Sequence, residues 1–179
     1  MFGSGLIDLS IGANILMSAA IGGFVGQKVG GVPGLILFLI VTIISAVILG
    51  QISVQSTLKL NIPPSIAGLG RGLILESLLN IWNQGAGLPK ISSDKILTFL
   101  GKAPGMYILV AIAIIIAFIV YNKTTIGINL QAVGGNSDVS GNMGINVRKT
   151  IIISTLIGGA FVGLAAFFNM ANTGFVNPQ

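Results

Sequence analysis

The sequence predicts an all-α protein: a polytopic transmembrane bundle with about five spanning helices, in a single domain over residues 1–179. Three observations lead there. Of the 179 residues, 53% are hydrophobic and only 7% charged, whereas a soluble domain carries roughly 25% charged residues. So few charges cannot clothe a soluble globule, and the mean hydropathy of +0.97 agrees. Apolar runs recur at the length needed to cross a hydrocarbon core of about 30 Å, which takes about 20 residues at about 1.5 Å each. The 26 glycines supply the small side chains that let membrane helices approach closely.

The runs fall in order along the chain. The first covers residues 9–26, between Asp8 and Lys28; the second covers 32–52, with Pro33 near its start, where proline is tolerated. A third, 65–82, follows Pro63-Pro64 and contains Arg71 and Glu76. Each charge costs about 2.5–3.5 kcal/mol at a helix centre. Five residues apart, they stand about 140° apart around the helix and do not form an i,i+4 pair. Two readings stay open: a tilted span with Arg71 reaching towards one interface, or an interrupted helix lining a polar pathway. The fourth and fifth runs are 103–121 and 151–171. None alternates with period 2, so barrel strands fit poorly. Trp82, Tyr107 and Tyr121 fall at expected span ends, where interfacial aromatics sit.

The basic residues are scattered singly between apolar runs, which suits membrane flanks and argues against a nucleic-acid partner. Lys59, Lys123, Arg148 and Lys149 fall on one side of a five-span topology; Lys28, Lys90, Lys95 and Lys102 fall on the other. The charge rule is nearly balanced, and only Arg71 tips residues 122–149 towards the cytoplasm. With no cysteine and no histidine, disulfides, Cys/His metal sites and His-based nucleophilic catalysis are excluded. No catalytic constellation, metal site or cofactor site is expected. The start lacks a basic secretory leader, and both ends lie against apolar runs, as in a piece of a longer frame.

Candidate functional residues lie in two places. On the first span, Ser10, Asn14 and Ser18 follow at intervals of four and share one face, which should turn away from lipid. They read as helix–helix hydrogen bonds or as solute contacts; with Arg71 and Glu76 they form the candidate substrate pathway. Asp8 reads as a helix cap. Three small-xxx-small pairs, Gly22/Gly26, Gly68/Gly72 and Gly159/Gly163, read as close helix packing. Residues 83–104 read as a solvated loop or as a partner-facing one.

The second place is the polar stretch 122–149. Gly134-Gly135 reads as a turn, Asn136 or Ser137 as the cap of a short helix with Asp138 in its first turn, and Val139 with Met143 as its exposed face. Such a helix suits docking into a groove. The string Leu130-Gln131-Ala132-Val133-Gly134-Gly135-Asn136, followed by Gly144-Ile145-Asn146-Val147-Arg148-Lys149, resembles the cytoplasmic coupling segment of ribose-type ABC transporter permeases. Ile7-Asp8-Leu9-Ser10-Ile11-Gly12 is similar to that family's GIDLSVG, with Leu6 in place of the glycine. Ile62-Pro63-Pro64-Ser65-Ile66 with Arg71-Gly72 is similar to its P-P-F-I…R-G string, and residues 158–165 resemble its small-residue helix. Ser137 stands where the family usually has an acidic residue. The family's glycine-rich GGTS-like motif is not among these residues.

The resemblance implies a permease subunit of an ATP-driven importer in the bacterial inner membrane, moving a sugar or sugar-like solute. It implies a cytoplasmic ATPase partner, a second permease subunit, an extracytoplasmic solute-binding protein and surrounding lipid. It also implies that Gly134, Gly135, Asn136, Ser137, Asp138, Gly144, Ile145 and Asn146 meet the ATPase. The chain has no G-x-x-x-x-G-K-[ST] phosphate loop of its own. The alternative is an ion-coupled secondary transporter using Glu76 and Arg71.

Overall fold

The computed structural model describes residues 8–60, 62–85, 87–92 and 94–176. Its helices are α1 (Ile11–Val29), α2 (Gly31–Leu60), α3 (Pro64–Gly85), α4 (Gly105–Lys123), α5 (Thr125–Gly135), α6 (Ser137–Asn142) and α7 (Val147–Thr173). A 3-10 turn at Phe99–Gly101 precedes α4. Strand pairing among the described residues is confined to one bridge between Lys90 and Phe175. Ile7 of the IDLS string, its neighbour Leu6 and the terminal residues 177–179 lie outside the described residues.

Each of the five expected runs lies on its own helix, and the whole is a helical membrane bundle. Three of them, α2, α4 and α7, are both long and apolar enough to cross a membrane. α1 and α3 have the length, at 19 and 22 residues, but polar groups lower their apolarity: Asn14, Gln27 and Lys28 in one, Arg71, Glu76 and Asn80 in the other. α2 is 30 residues long, about 45 Å at about 1.5 Å per residue, and so outreaches a hydrocarbon core of about 30 Å. α3 runs unbroken through Gly68, Gly70 and Gly72, so the interrupted-helix expectation is not met.

The chain reverses between α1 and α2 at Gly30 and Gly31, with φ of 67° and 61°, a left-handed geometry that side-chain-bearing residues avoid. α1, α2 and α7 form the centre; two of the glycine pairs close it, and the third seats α3 against the start of α1. A Cβ on Gly26 would lie 2.8 Å from the Phe38 side chain, and one on Gly159 would lie 2.9 Å from the Val47 backbone. Gly22 faces Thr42, Gly163 faces Ile43, Gly68 faces Asp8 and Leu9, and Gly72 faces Ser10. Phe38 and Phe167 fill the middle with ring centroids 4.6 Å apart. α3 lies alongside α1 in the same direction: Gly72 is level with Ser10 at one end, and Trp82 meets Phe24 edge-on at 5.7 Å at the other.

Two ends follow from this arrangement. One holds Asp8, the end of α2, α5, α6 and the start of α7; a small cluster of Val54, Val133 and Ile151 closes it. The other holds the Gly30-Gly31 reversal and residues 87–104. That segment is packed, in contrast to the solvated loop the sequence allowed. Leu88, Ile91 and Leu97 are buried in the main core, and the Ile91 and Ser92 amides donate to the Gly174 carbonyl at 2.8 and 3.1 Å. Burial of these three apolar side chains holds the segment on the bundle.

Candidate functional site

The start of α1 places Asp8 where three helices meet. Its Oδ1 accepts from the Ser10 amide at 2.9 Å and from the Ser10 hydroxyl. Its Oδ2 accepts from Ser53 of α2 at 3.1 Å and from Arg71 Nη2 of α3 at 3.2 Å. Arg71 also donates to the Leu49 carbonyl and to the Ser10 hydroxyl, and its Nε is buried without a partner. The pair is nearly enclosed, with side-chain exposures of 12% and 8%.

Two expectations are corrected by this geometry. Arg71 turns inward to a carboxylate rather than reaching for an interface, because Gly68 and Gly72 let α3 approach α1 closely enough for the pair to form. Asp8 joins that pair, and Ser10 occupies the cap position of α1 without a capping side-chain bond. A lone charge among apolar helices is costly; pairing and hydrogen bonding offset the cost and make loss of either partner severe.

Further along α1, Asn14 Nδ2 donates to the Ala46 carbonyl at 3.3 Å and Ser18 donates to Asn14 Oδ1 at 2.9 Å. Ser10, Asn14 and Ser18 are all buried. The structure therefore brings Ser10 and Arg71 together and continues the line with Asn14 and Ser18. Glu76 is held apart from them. It borders an open groove of about 320 Å³ along α1 and α3, which the exposed Asn169 of α7 also lines. Sequence reasoning does not single out Asn169, Ser53 or Gln51, whose amide donates to the Ile152 carbonyl at 3.2 Å. Only Ser53 carries a signal, a hydroxyl close to the end of a long apolar run.

The 122–149 stretch is largely helical rather than a loop. Thr124 caps α5 by accepting from the Gly127 amide at 3.3 Å, and Gln131 Nε2 ties α5 to the Tyr121 carbonyl at 3.0 Å. Gly134 and Gly135 end α5 as helical residues, not as a turn. The break falls at Asn136, whose Oδ1 accepts from the Asp138 and Val139 amides at 3.0 and 3.1 Å and starts α6. Asp138 sits in the first turn of α6, where its charge suits the helix dipole. Gly144, with φ of 86°, turns the chain again, and Asn146 caps α7 through the Lys149 amide at 2.9 Å. Residues 134–139 are exposed, Val139 at 52%, and so is Met143 at 78%. Ile145 packs inward against the Val54–Val133–Ile151 cluster.

The whole length, residues 1–179, matches the profile of a family described as a branched-chain amino acid transport system / permease component. The chain belongs to that family. It is 27% identical to the galactose/methyl galactoside import permease protein of Haemophilus influenzae, with 93% of this chain and 55% of that protein covered. It is 28% identical to the D-allose transport system permease protein of Escherichia coli, covering 96% of this chain and 53% of that one. A shorter stretch, 32% of this chain and 17% of its counterpart, is 47% identical to the guanosine ABC transporter permease protein of Bacillus subtilis. The chain spans about half the length of the first two. No solved structure matches it. These relatives are named as permeases, none as an ion-coupled carrier, so the secondary-transporter alternative finds no support.

Proposed function

We propose that this chain builds part of the permease subunit of an ATP-binding-cassette importer in the bacterial inner membrane. A sugar or sugar-like solute crosses, and a separate cytoplasmic ATPase drives it. In this reading α6 is the coupling element, and Gly134, Gly135, Asn136, Ser137, Asp138, Gly144, Ile145 and Asn146 form or hold its docking face. A second permease subunit and an extracytoplasmic solute-binding protein complete the assembly, the latter meeting the end that carries residues 87–104.

One observation carries the reading. At the end of the bundle a six-residue helix, α6, stands exposed, capped by Asn136. It is joined to the spanning α7 through a second asparagine cap at Asn146. The two caps fix where α6 and α7 begin, so a push on Val139 and Met143 reaches α7 through the short link 143–146. Glycine at 134 and 135 leaves backbone open to a partner; a Cβ on Gly135 would meet no neighbour within 4 Å. Of the candidate pathway residues, Ser10, Asn14, Ser18 and Arg71 brace the pathway wall by bonding to one another and to α2, and Glu76 faces the open groove.

The test is co-expression with the cognate ATPase. Gly135→Trp with Asn136→Trp removes the ATPase from the purified complex, while the chain keeps its helix content by circular dichroism. An intact complex with both tryptophans present overturns the coupling assignment.

A further inference from the structure

The 3-10 turn before α4 is anchored on its inner side and charged on its outer side. Leu97 and Thr98 are buried, and Gly101 lies so close to the Ala171 backbone that no Cβ fits there. On either side of these fixed points stand Lys95 and Lys102, both exposed. The two line one pocket of about 450 Å³, together with Phe99, Pro104 and Ile108. No carboxylate lines it. Asp94, the acid nearest in sequence, accepts through Oδ1 from the Ile96 and Leu97 amides at 2.9 and 3.3 Å. Among the described residues ion pairing is confined to Asp8 and Arg71, so neither lysine is neutralised. Two like charges sharing a pocket repel each other, and an anion held between them relieves that repulsion.

From Ile108 the pocket leads onto α4. Ile108, Ile112, Ile115 and Ile119 follow at intervals of four, three and four, so they share one face, and all four are exposed. The stripe is about 16 Å long at about 1.5 Å per residue, close to the depth of one leaflet in a hydrocarbon core of about 30 Å. Tyr107, exposed next to Ile108, is a residue type that settles at the membrane surface. Charge therefore sits at the surface level, with an apolar track running inward from it.

We propose that this pocket holds the phosphate of an anionic phospholipid between Lys95 and Lys102, with an acyl chain laid along the isoleucine stripe of α4. A phosphate accepts charge-assisted hydrogen bonds from both ammonium groups. A zwitterionic lipid would bring a further ammonium group to a site that already holds two, which favours a headgroup of net negative charge. A soluble anion gains nothing from Ile108 and the stripe below it, and an acidic protein surface arriving from water does not reach them. In the orientation proposed above the site lies in the outer leaflet, where the positive-inside bias disfavours lysine; an anionic headgroup supplies the counter-charge.

The chain has one tryptophan, so Trp82→Phe with Tyr107→Trp puts a single fluorophore beside the pocket. In phosphatidylcholine vesicles, a small fraction of brominated phosphatidylglycerol should quench it more than the same fraction of brominated phosphatidylcholine. Each lysine is worth roughly fivefold, so Lys95→Gln or Lys102→Gln should cut the preference roughly fivefold and the double variant should abolish it. Lys123→Gln, at the far end of α4, should leave it unchanged. In the unsubstituted chain, phosphatidylglycerol should raise the unfolding midpoint in detergent more than phosphatidylcholine does. Equal quenching and equal midpoint shifts with the two lipids overturn the site. Quenching by neither lipid means that protein covers this face of α4, and overturns it too. Loss of the preference on adding inorganic phosphate or poly-L-glutamate, with ionic strength matched by chloride, assigns the lysines to a free anion or an acidic protein instead. No ATPase enters these measurements, so they and the coupling test succeed or fail separately.

Discussion

α4 and α1 are both 19 residues long, yet they sit in opposite surroundings. α4 is dominated by isoleucine, alanine and valine, and none of its residues is buried. α1 contains asparagine, serine and four glycines, and eight of its residues are buried. In water the more apolar helix would be the inner one. In lipid the solvent is as apolar as leucine, so large aliphatic side chains gain little by packing against protein, while small residues and hydrogen-bonding groups gain much. Apolarity marks what faces lipid; glycine and polar side chains mark what packs.

Breaking the Asp8–Arg71 pair should cost most. Arg71→Ala leaves the Asp8 carboxylate enclosed without its cation, a loss of about 3–5 kcal/mol. It would appear as a large drop in the unfolding midpoint in detergent. Asp8→Leu with Arg71→Met should recover most of it, because neither charge then remains. A stable Arg71→Ala protein would mean that the pair does not hold the three helices together.

Glycine packing ranks next. Gly163→Leu drives a side chain into the Ile43 backbone of α2 and should cost about 1–3 kcal/mol. Gly158→Leu, on the same helix but facing open space, should leave the unfolding midpoint unchanged. Equal effects would show that α7 does not present this face to α2.

Smaller and local is Asn136→Ala, which removes two cap bonds from α6, worth about 0.5–2 kcal/mol. Hydrogen exchange should rise in residues 137–142 and stay constant in α2 and α7. Smallest is Ile114→Leu on α4, at 63% exposure, which should stay within about 0.5 kcal/mol of the parent in the same unfolding assay.

The same contrast explains what can be read from sequence. α2, α4 and α7 are legible because continuous apolar runs are a local signal, and the glycine pairs are legible because their spacing is local too. The Asp8–Arg71 pair is not, since its members stand 63 residues apart and only the crossing of α1 and α3 joins them. Asn169 is equally hidden; it reads as an ordinary polar residue near the end of α7, and only the packing of α7 on α1 brings it to the edge of the groove that Glu76 borders. α5 escapes a sequence reading because Gly127, Gly134 and Gly135 weaken helix propensity. Tertiary support outweighs that weakness: Val133 is buried against Val54 and Ile151, and Thr124 supplies the cap.

The central claim is that α6 lies on the cytoplasmic side, where an ATPase can reach it. Val139→Cys places a single thiol on the exposed face of that helix. A membrane-impermeant maleimide applied to intact bacteria should leave that thiol unmodified and label it fully once the cells are opened. Prompt labelling in intact cells would put α6 outside and contradict the account.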